Sequence, residues 1–480
     1  MKVTLINPPY MFWKSGVQYL ERVLGHAPPL GLLSLAAYAR SNLPRISIAI
    51  VDAAANSLSV SQTVDRIVRL EPDVVGFTIT TMVVDSVQEI ASQIKAVLPN
   101  VKLVAGGPHI SGLGQHCLYQ LCDFDVAVVG EGEQTFVELI KAFETGRTLD
   151  DIAGIVFRDA HGRVRTTKAR AYFDDLDKLP LPAWDLLEGF PHAYRTNIFF
   201  SPGGPAATLI TSRGCPFHCA FCDQSTFGHS YRITSAEYVY RAVKQLQDRY
   251  KVRYIVFCDD TFTIDRRRIL EVCRLLQTLP RPIKWSCDAN VMTIDNQMLV
   301  EMKRAGCWSI SYGLESGSPR LLASLNKKIT LEKASDVICN TNSAGIYAKG
   351  LFILGTPEES LDTVRETQDF ISSIPLSTIN VSKFTPYPGS ELYKEISRNL
   401  NIKFEQLNGM NFVVPSKYLS IEQLEEQYKA VLNRFYHTLR AWRFHLPIIF
   451  GSGGNIWRMA SIVPDVVLAK MRRNVRVRCC

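Results

Sequence analysis

Leu209-Ile210-Thr211-Ser212-Arg213-Gly214-Cys215-Pro216-Phe217-His218-Cys219-Ala220-Phe221-Cys222 opens apolar and β-branched, then turns at Gly-Cys-Pro into three closely spaced cysteines. Residues 209–212 read as a strand and the remainder as a tight loop leaving its C-terminal end. The Cys-x3-Cys-x2-Cys spacing puts three thiolates on one loop, where they can ligate three irons of a cubane. A structural zinc or cluster site wants a fourth ligand nearby. The next cysteine, Cys258, is far along the chain, so one iron would stay open to another ligand.

Around this loop, residues 207–389 alternate strands and helices. Strand runs fall at 209–212, 254–257, 284–287, 309–312, 348–354 and 379–384, with helical stretches such as 236–250 and 267–278 between them. Six strand–helix units are fewer than the eight of a closed barrel, which predicts an open, partial (β/α)6 barrel with its chemistry at the strands' C-terminal ends. Upstream, residues 1–145 carry strand runs at 3–6, 46–51, 74–79, 102–105 and 126–129, with helices such as 29–42 and 83–98. Short apolar strands separated by helices predict a doubly wound parallel sheet of flavodoxin type. In such sheets a large ligand sits beyond the strands' C-terminal ends. Those ends carry Asn7-Pro8-Pro9, Asp52, Thr78 to Thr81, Gly106-Gly107-Pro108-His109 and Gly130-Glu131-Gly132-Glu133. Residues 146–206 hold a hairpin pattern at 154–164 and the stiff Leu179-Pro180-Leu181-Pro182-Ala183-Trp184, read together as a connector. Residues 391–480 read as mainly helical with a basic tail.

Composition sets the class. A hydrophobic fraction of 46% with 21% charged residues is ordinary for a globular protein. No run reaches the roughly 18 apolar residues of a membrane helix, and the N-terminal MKVTLINPPY turns polar before any signal core forms. These features predict a cytoplasmic protein. The net charge of +8 is uneven: from Arg434 onward nine Lys or Arg face a single acid, Asp465. With Trp442, Phe444, Ile448, Ile449 and Trp457 nearby, this tail suits either a solvated terminal helix or contact with an anionic surface, membrane or nucleic acid. Outside the triad, nine cysteines are scattered, and in a reducing compartment most read as small buried hydrophobes.

The cysteine motif, with its strand-end setting, resembles the radical S-adenosylmethionine (SAM) enzymes. The resemblance implies a [4Fe–4S] cluster on Cys215, Cys219 and Cys222 whose open iron binds the amino and carboxylate groups of SAM. An electron from the cluster, delivered by an external flavodoxin or ferredoxin, then releases a 5′-deoxyadenosyl radical. Other strand ends fit. Asp259 or Asp260, in Phe257-Cys258-Asp259-Asp260, suits the SAM ammonium, although either reads equally as a helix N-cap. Tyr312-Gly313-Leu314-Glu315-Ser316-Gly317 resembles the ribose-contact motif, with Glu315 and Ser316 implied in the contact. Gly355 lies in a segment resembling the one that packs on adenine, where Glu358 replaces a usual glycine. Asn290 stands where many relatives place an arginine that reaches SAM, as a different contact or simply a neutral partner. Pro386-Tyr387-Pro388-Gly389 is expected to close the barrel mouth.

A flavodoxin-like domain ahead of such a barrel resembles the cobalamin-binding subclass, which includes the anaerobic magnesium-protoporphyrin monomethyl ester cyclase, hopanoid-modifying enzymes and C-methyltransferases. The resemblance spans about residues 1–440. It implies a slot for the corrinoid's nucleotide tail lined by Thr78, Thr80, Thr81, Gly106 and Gly107, with Gly130, Glu131 and Gly132 meeting its ribose or amides. No Asp-x-His-x-x-Gly run supplies a cobalt-ligating histidine; His26 and His109 are the nearby candidates. The resulting expectation is C-methylation of an unactivated carbon in a small molecule, a hydrophobic one suiting the apolar C-terminal region. One SAM gives its methyl to cobalt, and a second makes the radical. Oxidative cyclisation, ring rearrangement or hydroxylation without methyl transfer is the alternative. A methylthiotransferase acting on RNA would need three further cysteines in the first domain, where only Cys117 and Cys122 occur, and no nucleic-acid partner is expected. A cobalamin sensor would not need the cysteine triad.

Overall fold

Short apolar strands alternating with amphipathic helices bury both faces of a sheet, and the chain does this twice. The computed structural model describes residues 1–10, 25–194, 197, 201–398 and 403–451. In the first unit β1 (Lys2–Asn7), β2 (Ser47–Asp52), β3 (Val74–Thr78), β4 (Lys102–Gly106) and β5 (Val126–Val128) run parallel in the order β2-β1-β3-β4-β5. Between them run α1 (Leu30–Asn42), α2 (Val60–Leu70), α3 (Val84–Val97), α4 (Pro108–Leu113) and α5 (Cys117–Gln120), and α6 (Glu133–Thr145) follows β5. Helices α2 and α3 bury Val64, Ile67, Val87 and Ile90 on one face. Helices α1 and α6 bury Leu32, Ala36, Phe136 and Ile140 on the other. Ser59 starts α2 with a reciprocal cap: its hydroxyl accepts from Gln62 N and its N–H donates to Gln62 Oε1. This is the doubly wound, flavodoxin-like arrangement expected.

The hairpin read as part of a connector belongs to this sheet instead. Strands β6 (Ile155–Arg158) and β7 (Val164–Thr166) extend it, β6 antiparallel to β5 and β7 antiparallel to β6. The physical reason is the edge: β5 would otherwise present unpaired backbone groups, and a hairpin covers them. The Pro-rich stretch after it is a buried seam. Trp184, 1% exposed, packs in the same core cluster as Leu33 of α1 and the barrel's helices, and Ala183 N donates to Leu33 O.

The second unit is an open parallel sheet of six strands in sequential order: β8 (Ala206–Leu209), β11 (Tyr254–Phe257), β12 (Lys284–Ala289), β13 (Cys307–Glu315), β14 (Tyr347–Leu354) and β15 (Thr378–Lys383). Its helices are α7 (Ala236–Tyr250), α8 (Arg266–Leu276), α9 (Asn296–Arg304), α10 (Pro319–Ser324), α11 (Leu331–Ser343) and α12 (Leu361–Ser373). The first strand sits earlier than the expected 209–212. Thr211 N is drawn to Asp259 Oδ1 at 2.7 Å. Ser212 and Arg213 form a separate two-residue ribbon, β9 (Ser212–Arg213), antiparallel to β10 (Arg232–Ile233). The cysteine loop therefore springs from a side ribbon and not directly from a barrel strand.

Among the described residues, three helices follow the barrel: α13 (Glu391–Ile396), α14 (Ile421–Tyr436) and α15 (Leu439–Gly451). The near part of the basic tail packs on protein. Arg434 pairs with Asp369 at 2.7 Å, Arg440 donates to Ile374 O, and Phe444 and Ile448 are buried while Trp442 is half exposed. Phe444 meets Tyr347 at a ring-centroid distance of 4.8 Å and Trp308 at 6.1 Å. Both partners lie near the N-terminal ends of their strands, so α15 covers the barrel's lower rim. Residues from 452 onward, including Trp457, Arg458 and the basic run to Arg478, lie outside the described residues. Among the described residues no helix is long and apolar enough to cross a membrane.

Removing the Phe444 ring leaves a cavity against Tyr347 and Trp308. Phe444→Ala is expected to lower stability by about 3 kcal/mol, read as an earlier urea midpoint followed by tryptophan fluorescence.

Candidate active site

The cysteine loop is held by backbone geometry before any ligand is considered. Gly214 has φ +79°, and a Cβ there would stand 2.3 Å from Ser230 O, so only glycine fits between the ribbon and Cys215. Cys215 N donates to Gly228 O, Cys222 N to Cys219 O, and Ala220 N to Leu325 O. Cys215 is buried, Cys219 half-buried and Cys222 exposed. Burial, then Asp260, Cys219 and Cys215, push the Cys222 thiol up to about 12. Cys219 is raised by burial, while Lys327 works in the opposite direction. Thiols that act on one another's titration are close neighbours. Yet among the described residues no three Cys, His, Asp or Glu side chains converge tightly enough for a single metal ion. Three thiolates on one loop are the donor set of a cubane with one open iron.

The paired aspartates have divided roles. Asp259 is 2% exposed and its oxygens accept from Thr211 N, Thr211 Oγ1 and Ser212 Oγ, the last at 2.6 Å. It anchors the start of the cysteine loop, buried among these donors and away from the cavity lining. Asp260 lines the cavity and keeps part of its surface open there. Burial, then Asp259 and Asp223, raise its pKa. Of the two, Asp260 is the one placed to receive a cation. Asn290, read as a SAM contact, is instead a cap: its Oδ1 accepts from Met292 N at 2.9 Å. Ser316 shares a hydrogen bond with Thr367 Oγ1 at 3.0 Å and accepts from Ser318 N, holding a turn 1% exposed. Gly355 has φ +88°, and a Cβ there would stand 2.5 Å from the Phe412 ring, so its role is to admit that ring. Glu358, the departure from a usual glycine, sits in an ion pair with Lys417.

Glu315 is the surprise. It has φ +63°, a left-handed conformation costly for a side-chain-bearing residue. Its carboxylate pairs with Lys327 Nζ at 3.1 Å, both side chains 9% exposed. Lys327 was not singled out from the sequence. It belongs to a two-lysine run after α10 with no motif around it; only the fold carries it back to Glu315 and Cys219. A buried ammonium beside the thiols is chemically suited to stabilise their charged forms or to receive a carboxylate.

One cavity of about 440 Å³ opens between the two sheets' C-terminal ends. From the first unit Thr78, Gly106, Gly107, Gly130, Glu131 and Gly132 line it; from the second come Arg213, Asp223, Gln224, Phe227 and Asp260. At Gly107, φ +103°, a Cβ would stand 2.8 Å from Ile79 N and O, so only glycine fits against that strand end on the cavity wall. Glycines and apolar walls fit an extended corrinoid tail. Two expectations are corrected. Thr80 and Thr81 are not among the cavity's lining residues. Thr81 is buried and shares a hydrogen bond with His109 Nδ1 at 3.1 Å, and Thr80 starts the 3₁₀ turn Thr81–Val83. Glu131 is engaged by Arg232 Nη1 at 2.7 Å and by Phe173 N at 2.9 Å, which leaves its carboxylate committed and not free for a ribose.

Neither histidine lines the cavity. His109, held neutral by burial with its pKa lowered to about 4, stands edge-on to Phe404 at 4.9 Å. His26 is half-buried, its pKa lowered by burial. The Pro388-Gly389 turn is wedged between the two units. A Cβ at Gly112 of α4 would meet Pro388 O at 2.4 Å, and one at Gly389, φ +97°, would meet Asp223 Oδ1 at 2.1 Å.

Comparison with known proteins agrees with this geometry. The radical SAM superfamily matches residues 209–371, and the B12 binding domain matches residues 17–140. An uncharacterized methyltransferase of Pyrococcus horikoshii is 31% identical over 91% of this chain and 92% of its own length. The anaerobic magnesium-protoporphyrin IX monomethyl ester cyclase of Rubrivivax gelatinosus is 29% identical over 86% of this chain and 73% of its own. Among solved structures, the cobalamin-dependent SAM radical enzyme OxsB, with aqua-cobalamin and SAM bound, superposes with a TM-score of 0.66 at 19% identity. It covers 90% of this chain, which spans 61% of that longer protein. At that identity the likeness speaks for the fold.

The division of the aspartates is testable. Asp259→Asn should cost about 2 kcal/mol of stability, since buried donors lose a charged acceptor. Asp260→Asn should leave stability nearly unchanged and weaken SAM binding roughly tenfold, by calorimetry on cluster-loaded protein. Because only the ionised carboxylate holds an ammonium, affinity in the unsubstituted protein should fall as pH drops through the raised pKa of Asp260. Asp260→Asn should flatten that dependence. Gly107→Val should keep cluster iron while cobalt retention falls, by metal analysis after gel filtration.

Proposed function

Because the chain belongs to the radical SAM enzymes that carry a B12-binding domain, we propose that it is a methyltransferase acting on an unactivated carbon of a small molecule. Its cofactors are those of the family: a [4Fe–4S] cluster, SAM and cobalamin. The observation that carries the proposal is a cavity bordered by the glycine turns of the first sheet and, from the second unit, by Asp260 and by Arg213 and Asp223, which flank the cysteine loop. A substrate radical formed on one side must be trapped by the group carried on the other before solvent or protein quenches it. The similarity to a methyltransferase along nearly the whole chain supports the same reading.

Bound here, the cofactors supply reductive cleavage of SAM to a 5′-deoxyadenosyl radical and a corrinoid metal that carries a methyl group. The chain's own residues do the rest. Cys215, Cys219 and Cys222 hold the cluster, Asp260 takes the SAM ammonium, and Lys327, paired with Glu315, offsets charge at Cys219. Gly106, Gly107 and Gly130 let the corrinoid tail approach the backbone, while Phe77, Val104 and Phe136 keep that cleft apolar. An external one-electron carrier of flavodoxin or ferredoxin type reaches the cluster. Contact of the basic residues 458–478 with an anionic membrane is part of the same proposal, since Arg434 and Arg440 are engaged by the barrel.

Radical cyclisation without methyl transfer is the second reading, favoured by the similarity to the Rubrivivax gelatinosus cyclase. Reduction of cobalamin-loaded protein with SAM separates the two. Methyl transfer predicts one equivalent of S-adenosylhomocysteine per chain, absent when cobalamin is withheld. Formation of 5′-deoxyadenosine alone, with or without cobalamin, would favour the cyclase-type reaction and remove the methyltransferase.

A further inference from the structure

Four charged side chains meet where the two units join, and all are buried. Glu131 and Glu133 stand on the turn after β5, and Arg213 and Arg232 are register partners on the β9–β10 ribbon. Arg213 Nη2 donates to Glu133 Oε1 at 2.5 Å and Nη1 to Glu133 Oε2 at 3.3 Å. Arg213 Nη1 also lies 3.3 Å from Glu131 Oε1, which takes Arg232 Nη1 at 2.7 Å. The remaining valences are filled locally. Ser34 Oγ donates to Glu133, Phe173 N to Glu131, and Arg232 donates to Phe173 O and Phe227 O. Arg213 lies over the Phe227 ring and Arg232 over the Tyr172 ring.

Two acids and two guanidiniums leave the group neutral. A buried, balanced set of this kind adds little stability over an apolar replacement, and its best-attested use is to fix register. Its covalent neighbours show what is being registered. Gly130 and Gly132 flank Glu131 and line the cavity on the corrinoid side. On the other side a single conformationally restricted residue, Gly214, joins Arg213 to Cys215. Guanidinium forks set angle as well as distance.

We propose that Glu131, Glu133, Arg213 and Arg232 are positioning residues that set the separation and orientation of the corrinoid-binding turn relative to the cluster loop, so that the two cofactors face each other at one fixed distance. The proposal takes the two cofactors from family membership and does not depend on whether the reaction is methylation.

The test is electron paramagnetic resonance of protein loaded with cluster and cobalamin, both reduced to paramagnetic states, reading the magnetic coupling between cobalt and cluster. The unsubstituted protein should show one narrow, well-defined coupling. Glu133→Gln and Arg213→Lys should keep iron and cobalt but shift or broaden it, Glu133→Gln with a lower melting temperature because Arg213 loses a buried partner. Arg40→Gln, which breaks the exposed Arg40–Asp185 bridge, should leave it unchanged. Fully loaded Glu133→Gln and Arg213→Lys with unaltered coupling would overturn the proposal, as would two non-interacting signals in the unsubstituted protein. Where a single substitution prevents loading, the paired Glu133→Gln/Arg213→Gln variant, which strands no charge, decides. Loading with altered coupling supports positioning. Loading with unaltered coupling, or loss of both cofactors again, makes the quartet structural only and ends the proposal.

Discussion

Parallel strands deliver all their outgoing loops to one edge, and everything functional here depends on two such edges facing each other. A parallel sheet needs a crossover for each strand, so its C-terminal loops gather where helices begin and backbone donors point outward. The first sheet gathers Thr78, Gly106-Gly107 and the Gly130–Gly132 turn; the second gathers the cysteine loop and Asp260. The cavity is what remains when those edges meet. Connector and C-terminal segments keep them together: Trp184 packs with Leu33, Tyr194 donates to Asp52, and Pro388 backs onto Gly112.

Within that junction, burial separates structural charges from chemical ones. Asp259, Glu131 and Glu133 each have their oxygens filled by donors on neighbouring elements. A buried carboxylate persists only when its lone pairs are satisfied, and one so satisfied is unavailable to a ligand. Asp260 differs by a single position, and the turn after β11 aims it at the cavity. Burial, then the nearby Asp259 and Asp223, raise its pKa, so a cation there would relieve repulsion as well as form a bond. The Glu315–Lys327 pair is intermediate, satisfied within the protein yet close enough to Cys219 to act on its thiol.

The first sheet binds without offering metal-directed histidine chemistry from the cavity wall. His109 is turned into an apolar joint with Phe404, and its hydrogen bond to Thr81 removes that threonine from the lining. The turn Gly106-Gly107-Pro108-His109 thus serves two ends: its glycines face the cavity while its histidine locks the C-terminal segment onto the sheet.

Much of this was legible in the residues themselves. The cysteine spacing, the doubly wound first sheet and the six strand–helix units follow from local periodicity and turn chemistry, because strand, helix and loop preferences are expressed over a few neighbouring residues. The lysine that approaches the cluster loop, the division of Asp259 from Asp260, the commitment of Glu131 to an arginine, the capping role of Asn290 and the attachment of the 155–166 hairpin to the first sheet were not. Each depends on a partner distant in the chain: Lys327 on Glu315 and Cys219, Asp259 on Thr211 and Ser212, Glu131 on Arg232. Even the basic tail divides this way, since the charge of Arg434 is visible in sequence but its partner Asp369 is not. Sequence alone determined which residue types stand at the strand ends and hence the class of chemistry. Only the tertiary structure decided which of them are consumed by burial and which face the cavity, because a side chain's freedom is set by donors that folding brings to it.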